Sequence, residues 1–432
     1  MSPTPTWAAP TAEPDEVHGT VAIPGSKSLT NRALVLAALA QRPTVIRGAL
    51  MARDTRLMIA GLQSMGVGVT IDEATVTVLP QALTGDVHVD CGLAGTVMRF
   101  LPPVAALASG EVTFDGDPRA RQRPLRPLLA ALHQLGVQVV GHELPVVIGG
   151  RGAVTGRAAT IDASASSQFV SGLLLAGARF AHGLDLRHRG GPLPSLPHVR
   201  MTTDLLADQG VQVTADTEDP TDCRWQVEPG PIAGGDLTIE PDLSNAGPFL
   251  AAAMVTGGRV SIPHWPADTT QAGDELRTIF GAMGGTAELT ADGLTLQGPD
   301  SIRALTADLC AVGELLPTVA AVAAFADGPS HLTGLAHVRG HETDRLRALA
   351  TELGRLGATV TELPDGLVIT PGPMVGTVVE CYDDHRMATF AAIIGLRIPG
   401  VSLSDVGTTT KTMPDFPGLW TSLVRPGAGV GT

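Results

Sequence analysis

Two lysines stand out as the side chains best suited to hold a small anion. Of the 29 basic residues, only Lys27 and Lys411 are lysines, and the others are arginines. Where arginine has replaced lysine almost everywhere, a retained lysine indicates a position that needs a compact, mobile ammonium and not a planar guanidinium. Both lie in polar, turn-rich stretches, PGSKSLTNR and TTTKTMPDF. The pattern predicts that each contacts an anionic ligand, with chance retention as the alternative.

The stretch around Lys27 has the composition of an anion-binding helix start. Residues 24–32 bring a glycine and two serines in front of an apolar helical run, and Arg32 adds a second cation. Backbone N–H groups at a helix N-terminus, together with nearby hydroxyls, bind phosphate or carboxylate. Because Ser26 separates the glycine from Lys27, this is not a Walker A loop. An ordinary capped helix is the alternative.

Arginines and a glycine mark two further stretches. CGLAGTVMR places Gly95 directly before a helix, and DPRARQRPLR has four arginines within eight residues of an acidic protein. Proline and alternate spacing can turn one or two of them inward as bidentate anion clamps, and Arg119 and Arg123 are the candidates. The others are expected to be solvated surface charges.

Hydroxyl groups dominate two more stretches. DASASSQF packs serines and an amide at another helix start, which suits a phosphorylated polyol, and Ser195 lies in the rigid turn PSLPH before the next helix. A structural N-cap is the alternative for both.

Two glutamates are candidates for proton transfer. Glu314 is a lone carboxylate at the front of a strongly apolar helix, where an idle charge is costly. Glu342 lies in HVRGHETDRL, where it is expected to share a helix face with Arg345. The pair His337 and His341 has metal-ligand spacing, but a glycine breaks the helix there and no other histidine or cysteine is nearby. No metal site is therefore expected.

Composition excludes several classes of function. The 432 residues are 44% hydrophobic and 17% charged, with no apolar run near the roughly 20 residues of a membrane span. The net charge of -14 disfavours nucleic acid and anionic membranes as partners. The four cysteines form no CxxC pair, and the first 16 residues do not read as a signal peptide. We expect a soluble cytoplasmic protein of two domains.

A repeat of about 70 residues organises the chain. A helix, a turn glycine and an apolar strand recur with steps of 70, 74, 74 and 73 residues, at Gly66, Gly136, Gly210, Gly284 and Gly357. Each unit reads as alternating strands and helices, and a sixth unit must combine the chain ends, with residues 382–424 giving its helices and residues 18–23 its strand. Two groups of three units follow, with boundaries near residues 21–24 and 240–241. A one-piece solenoid is the alternative, although solenoid repeats are usually shorter.

Together these stretches resemble the EPSP synthase family, in an actinobacterial-like form, from about Gly19 to Val424. PGSKSLTNR, AGTVMR, RARQRP, SSQF, HETDRL, DDHRMA and TKTMPDF occur in the family's order and spacing. The resemblance implies an α/β fold of two inside-out α/β barrel domains, each of three βαβαββ units with pseudo-threefold symmetry, closing over an interdomain cleft. Residues 24–240 would form a continuous domain with most of the shikimate 3-phosphate site. Residues 1–23 and 241–432 would form a discontinuous domain with the catalytic carboxylates and part of the phosphoenolpyruvate site.

The resemblance also implies an activity and a set of contacts. The enzyme would transfer the enolpyruvyl group of phosphoenolpyruvate to the 5-hydroxyl of shikimate 3-phosphate, without cofactor or metal, as a monomer inhibited by glyphosate. Glu314 would accept the hydroxyl proton, Glu342 would protonate C3 of the enol, and Lys27 would support catalysis. The residues implied for shikimate 3-phosphate are Lys27, Ser28, Arg32, Ser166, Ser167, Gln168, Ser195, Glu314 and His341. Those implied for phosphoenolpyruvate are Lys27, Gly95, Arg123, Gln168, Arg345, Arg386 and Lys411.

The sequence departs from the best-known bacterial pattern at five positions, which are Leu93, His198, Glu314, His337 and His341. Loss of the usual lysine at His341 removes a permanent positive charge, although a histidine can still donate a hydrogen bond. Two rival functions are weighed. UDP-N-acetylglucosamine enolpyruvyl transferases share the fold but use a loop cysteine that residues 115–125 lack. A non-catalytic anion-binding scaffold would not need both glutamates and both lysines.

Overall fold

The computed structural model describes residues 6–425, which pack as two compact units. One, the continuous unit, runs from Gly25 to Glu240. The other, the discontinuous unit, combines the described residues up to Pro24 with those from Pro241 onward. Residues 1–5 and 426–432, which the sequence analysis assigned to the discontinuous domain, lie outside the described residues.

Twelve α-helices occur within residues 6–425. They are α1 (Lys27–Ala38), α2 (Arg53–Ser64), α3 (Gly95–Ala105), α4 (Arg126–Gln134), α5 (Gln168–Gly177), α6 (Leu196–Asp208), α7 (Leu243–Thr256), α8 (Leu276–Ala282), α9 (Leu316–Ala323), α10 (Arg345–Leu356), α11 (His385–Arg397) and α12 (Phe416–Val424). Short 3₁₀ turns include residues 310–315, 336–340 and 406–411. None of these helices has the length and apolar character needed to cross a bilayer.

The strands of the same range are mostly of three to seven residues. They are β1 (Trp7–Ala8), β2 (His18–Thr20), β3 (Thr44–Arg47), β4 (Gly68–Asp72), β5 (Thr75–Leu79), β6 (Val87–Asp90), β7 (Ser109–Asp115), β8 (Gln138–Val140), β9 (Val146–Arg151), β10 (Ala158–Ile161), β11 (Leu184–His188), β12 (Val213–Asp216), β13 (Arg224–Val227), β14 (Asp236–Thr238), β15 (Arg259–Pro263), β16 (Thr286–Thr290), β17 (Gly293–Gln297), β18 (Thr306–Asp308), β19 (Ser330–Thr333), β20 (Thr359–Leu363), β21 (Gly366–Thr370), β22 (Val378–Val379) and β23 (Ser402–Leu403).

The continuous unit contains three four-stranded sheets of one topology. Their orders are β14-β3-β5-β4, β6-β7-β9-β8 and β10-β11-β13-β12. In each, the first pair is parallel and the other two pairs are antiparallel. In chain order each complete repeat is βαβαββ, with one helix after each of its first two strands. The predicted α/β fold class is confirmed.

The discontinuous unit repeats the pattern with one variation. Two of its sheets are four-stranded, β16-β17-β15-β2 and β18-β19-β21-β20, and the third is β1-β23-β22. The prediction that residues 18–23 complete the sixth repeat is wrong, because β2 pairs in parallel with β15 of the fourth repeat. The sixth repeat is instead completed by β1, which pairs with β23. Pairing between chain segments this far apart is set by tertiary packing, which a local pattern cannot show.

The five turn glycines of the repeat have the conformation that the pattern requires. Each follows the second helix of its repeat and has a positive φ, between 80° and 112°. Only glycine adopts this left-handed conformation without a steric penalty, so it ends a helix and turns the chain into the next strand.

The core of each unit lies around the first helix of each repeat, which is α1, α3 and α5 in one unit and α7, α9 and α11 in the other. Every residue of α3, α7 and α9 is buried. A helix that is apolar on all sides must be surrounded by other elements. The helices are therefore inside and the sheets outside, as the inside-out arrangement requires.

We expect Gly172→Ala to destabilise the protein because α5 contacts α3 at this glycine. A Cβ at Gly172 would lie 2.3 Å from the backbone oxygen of Arg99, which cannot move without shifting α3. Overpacking of this kind costs roughly 1–3 kcal/mol. The matched control is Gly354→Ala on the exposed face of α10, where a Cβ meets nothing within 4 Å. That change should stabilise the protein by about 0.5–1 kcal/mol. Urea unfolding followed by circular dichroism measures both, and an unchanged midpoint for Gly172→Ala would contradict the close packing.

Candidate functional site

Three helix N-termini meet at one end of the continuous unit. Asn31 near the start of α1 donates to Thr96 of α3, with 2.6 Å between Nδ2 and Oγ1. Arg99 of α3 donates to Oε1 of Gln168, the first residue of α5, at 2.9 Å. Each helix N-terminus has unpaired N–H groups and a partial positive charge. Their convergence makes this end of the unit suited to bind anions.

Two buried arginines lie over Gly95 at the start of α3. Arg123 and Arg99 are 7% and 2% exposed. A Cβ built on Gly95 would lie 2.9 Å from a terminal nitrogen of each guanidinium. Arg123 donates to the backbone oxygen of Leu93 at 3.1 Å, while its Nε has no hydrogen-bond partner. A buried, incompletely bonded guanidinium is suited to bind an anion bidentately.

The two candidate arginine clamps therefore have different surroundings. Arg119 is exposed and donates to Gln122 at 3.0 Å, whereas Arg123 is buried beside Gly95. Leu93, one of the five departures from the bacterial pattern, contacts Arg123 through its backbone oxygen, so this contact does not depend on which side chain stands at position 93.

Lys27 and Arg32 occupy the first turns of α1. Ser26 caps the helix by accepting from Leu29, and Lys27 Nζ lies 3.7 Å from a carboxylate oxygen of Asp54, which is 1% exposed. Arg32 is 1% exposed and donates to the hydroxyl of Thr202 at 2.7 Å, besides contacts to Ser28, Ser171 and His198 through their oxygens. Arg32 thus ties α1 to α5 and α6, and Asp54 orients Lys27.

The predicted serines lie at the starts of α5 and α6. Ser166 accepts from the backbone N–H of Gln168 at 3.3 Å, and Ser167 directly precedes α5. Ser195 directly precedes α6 and has the left-handed conformation, with φ 51°. Since Arg32 contacts both helices, these serines border the same end of the continuous unit.

A cluster of alternating charges marks the discontinuous unit. Glu342 contacts Lys411 through Oε1 and Arg345 through Oε2, the latter at 3.0 Å. Arg345 is 2% exposed and donates to both carboxylate oxygens of Asp384, at 2.8 and 3.1 Å. His341 contacts Arg345 through Nδ1 at 3.1 Å. The structure therefore brings Glu342, Arg345, Lys411 and His341 together.

Asp384 has a second role at the start of α11. Its carboxylate accepts from the backbone N–H of Arg386 at 2.9 Å and so caps the helix. The guanidinium of Arg386 has no hydrogen-bond or ion-pair partner within residues 6–425. Next to a helix N-terminus, an unpaired guanidinium is available to an anion.

Two left-handed residues in succession, Tyr382 and Asp383, precede this cap, with φ of 53° and 54°. Such strain persists only where surrounding contacts impose it. The Tyr382 hydroxyl donates to Oε1 of the buried Glu352 at 2.7 Å. Glu352 lies two turns after Arg345 on α10, so α10 holds the loop before α11 at two points.

His337, in the 3₁₀ turn 336–340, packs against the turn before α9 that carries Glu314. The hydroxyl of Ser244, in the first turn of α7, donates to Glu314 at 2.7 Å. Burial lowers the pKa of His337 to about 4, so its ring is neutral at neutral pH. The rings of His337 and His341 are 5.8 Å apart, and no group of side chains within residues 6–425 is placed to hold a metal ion.

Four residues of these clusters, Asp54, Arg99, Ser244 and Asp384, were given no role in the sequence analysis. Arg99 follows Gly95 by four residues and so lies one helical turn away, which is a detectable signal. Asp384 precedes a helical run, as an N-cap does. Asp54 and Ser244 are recognised only from their partners, which are distant in the sequence.

Comparisons with known proteins identify a family from the sequence and a matching fold from solved structures. The family model described as EPSP synthase (3-phosphoshikimate 1-carboxyvinyltransferase) matches residues 11–420. A 3-phosphoshikimate 1-carboxyvinyltransferase of Kocuria rhizophila is 54% identical over 97% of this chain and 96% of that protein. An EPSP synthase structure from Acinetobacter baumannii superposes with a TM-score of 0.78 at 22% identity, covering 97% of both chains. The enolpyruvyl transferase NikO from Streptomyces tendae gives 0.73 at 18% identity, covering 96% of both.

The Tyr382 contact predicts a loss of stability at high pH. Burial, with the hydrogen bond to Glu352, raises the pKa of Tyr382 from its usual 10.0 to about 12. The folded protein then retains a proton that the unfolded chain loses, so this contribution to stability is complete below pH 10 and is lost as the pH rises through about 12. Urea unfolding from pH 8 upward should show a steeper decline above pH 10 for the wild type than for Tyr382→Phe. Parallel declines would contradict the contact. Tyr382 is the only tyrosine, so its absorbance reports the titration directly.

Proposed function

The chain belongs to the EPSP synthase family, and from that premise we propose which of its residues perform the family's reaction. It transfers the enolpyruvyl group of phosphoenolpyruvate to the 5-hydroxyl of shikimate 3-phosphate and releases phosphate, as part of aromatic amino acid biosynthesis. The observation that carries the assignment of residues is the cluster in which Glu342 contacts both Lys411 and Arg345. An acid beside two cations is the combination needed to protonate an anionic enol substrate.

We assign most of the shikimate 3-phosphate contacts to the continuous unit. Convergent helix N-termini and the serines that precede α5 and α6 support this assignment, because phosphate accepts hydrogen bonds from N–H and hydroxyl donors. The assigned residues are Lys27, Ser28, Arg32, Ser166, Ser167, Gln168 and Ser195, with Glu314 and His341 added from the discontinuous unit.

Phosphoenolpyruvate, with a phosphate and a carboxylate, needs several cations. In the continuous unit we assign it Lys27, Gly95, Arg123 and Gln168. In the discontinuous unit we assign it Arg345, Arg386 and Lys411. The incompletely bonded guanidiniums of Arg123 and Arg386 support this choice.

The reaction is an addition followed by an elimination. Glu342 gives a proton to C3 of phosphoenolpyruvate, which makes C2 electrophilic, and the 5-hydroxyl oxygen bonds to C2 while Glu314 accepts its proton. Glu342 then takes a proton back from C3, and cleavage of the bond between C2 and the phosphate oxygen restores the double bond. The released phosphate receives the proton that Glu314 holds. A substrate anion that binds Lys411 and Arg345 competes with Glu342 for them and so favours the protonated form that Glu342 needs.

A neutral histidine fits this scheme near Glu314. His337 is kept uncharged by burial, so it adds no positive charge beside the carboxylate that accepts the hydroxyl proton. We propose further that the protein works as a monomer in the cytoplasm and that glyphosate binds at the phosphoenolpyruvate site. Its four cysteines are unpaired, as is usual in a reducing compartment.

The assay is phosphate release from phosphoenolpyruvate with each acceptor. Release with shikimate 3-phosphate and none with UDP-N-acetylglucosamine is the expected result. The opposite preference would indicate the other transferase, and no release with either would indicate a non-catalytic protein.

We expect Glu342→Gln to retain substrate binding and to lose at least about a hundredfold in kcat, the scale of a positioned acid. Glu314→Gln should behave likewise, because the amide cannot accept the hydroxyl proton. Glu288→Gln, on the exposed strand β16, is the control and should leave kcat unchanged. Steady-state kinetics with binding titrations separate the cases. If either variant altered affinity alone, the role of that glutamate would be wrong.

Gly95→Ala should discriminate between glyphosate and phosphoenolpyruvate. The added methyl displaces the guanidiniums of Arg123 and Arg99 and narrows the space for the slightly longer inhibitor more than for the substrate. The inhibition constant of glyphosate should therefore rise roughly tenfold or more relative to the KM for phosphoenolpyruvate, the scale of one methylene in a pocket. Inhibition is measured against varied phosphoenolpyruvate at saturating shikimate 3-phosphate. A wild type insensitive to glyphosate, or equal losses for both ligands, would contradict the assignment.

A further inference from the structure

One buried histidine connects the two loops that carry the serines of the continuous unit. His188 is the last residue of β11 and its side chain is completely buried. Its Nδ1 lies 3.1 Å from the backbone nitrogen of Ala163, and its Nε2 lies 3.0 Å from the backbone oxygen of Gly191. Nδ1 must therefore accept a hydrogen bond and Nε2 must donate one. Only the neutral imidazole with its proton on Nε2 does both.

Both contacts are made close to the predicted ligand groups. Ala163 precedes Ser166 by three residues in the loop that enters α5, and Gly191 precedes Ser195 by four in the loop that enters α6. For reference, residues 162–167 are the first loop and residues 189–195 the second loop.

A second bond joins the same loops. The Ser164 hydroxyl of the first loop lies 3.0 Å from the backbone oxygen of Gly191, the atom that His188 also contacts. The Asp162 carboxylate accepts from the backbone N–H of Ser164 at 3.0 Å and so orders the first loop. His188 is thus the central member of a small polar cluster that fixes one loop against the other.

The spacing of the loops decides whether their hydroxyls can share a ligand. Ser166 and Ser167 on one side and Ser195 on the other must reach oxygens of a single phosphate group, which is small and rigid. A misplacement of about 1 Å is enough to lose most of such an arrangement. Ser195 also has a left-handed backbone, which persists only when its surroundings impose it.

We propose that His188 is a positioning residue for shikimate 3-phosphate. Its imidazole sets the distance between the two loops and so aligns Ser166, Ser167 and Ser195 on the phosphate. The inference rests on the proposed function, since it assumes that these serines bind that substrate. A histidine that served only to stabilise the fold would lower the apparent kcat through the amount of folded enzyme and leave both KM values unchanged, whereas a positioning residue weakens the binding of one substrate selectively.

The test uses two substitutions that each keep half of the contact. Asn in place of His188 has an amide oxygen near the position of Nδ1 and can still accept from Ala163. Gln reaches the position of Nε2 and can still donate to Gly191. Both His188→Asn and His188→Gln should raise the KM and the Kd for shikimate 3-phosphate by roughly tenfold. The kcat, and the KM for phosphoenolpyruvate at saturating shikimate 3-phosphate, should stay within about twofold of the wild type.

Two further variants make the result decisive. His133→Asn changes an exposed histidine of α4 and should alter nothing. Ser164→Ala removes the hydroxyl bond between the loops, together with the hydroxyl contact to Asp162 within the first loop, and should raise the KM for shikimate 3-phosphate by about threefold. If circular dichroism shows that the His188 variants do not fold, the Ser164→Ala variant is used instead. An unchanged KM for shikimate 3-phosphate in that variant would then contradict the proposal that the link between the two loops positions the serines.

Unchanged affinity for shikimate 3-phosphate in folded His188 variants would overturn the proposal. A lower apparent kcat with both KM values unchanged would also overturn it, because that is the effect of fewer folded molecules. Similar rises in both KM values would overturn it too, because the effect would not be selective for shikimate 3-phosphate. If the wild type itself neither bound nor converted shikimate 3-phosphate, the proposed function would fail first, and this inference would fail with it.

Discussion

The convergence of buried helix N-termini is the constraint on which the candidate site depends. A helix that is buried on all sides can offer its unpaired N–H groups only at its N-terminus. The N-termini of three such helices lie together in the continuous unit, so their partial positive charges add there. In the continuous unit, side chains of Asn31, Thr96, Arg99 and Gln168 join these ends directly. The repeat of about 70 residues therefore produces this arrangement, because each of the three repeats places the start of its first helix at the same end of the unit.

The discontinuous unit uses the same framework for a different chemical purpose. Its helix starts carry carboxylates as well as cations, and Asp384 both caps α11 and holds Arg345. Buried charges are costly unless they are paired. The chain from Lys411 through Glu342 and Arg345 to Asp384 satisfies that requirement and leaves Arg386 available. Fixed, preorganised charges of this kind stabilise a developing charge without further reorganisation.

The sequence predicted the family because each of its motifs lies within a short window, and it predicted the fold class through that resemblance and through the regular spacing of the turn glycines. It also predicted Glu342, Arg345 and Lys411 as site residues, and the structure brings these three together. It did not predict the pairing of β2 with β15, the contact of Asp54 with Lys27 or the link through His188. Each of these depends on which distant segment packs alongside, which no local pattern encodes.

The pairing of β1 with β23 has a consequence for synthesis of the chain. Trp7 and Ala8 pair with Leu403 and Ser402, respectively. Strand β1 is therefore synthesised early but cannot pair until β23 has been synthesised near the end of the chain. The continuous unit has all of its strands once residue 240 has left the ribosome, and it can fold as a unit during translation. The discontinuous unit combines contacts of very long sequence separation, which form slowly. Its carboxylates and cations are therefore assembled last, after the rest of the molecule already has its shape.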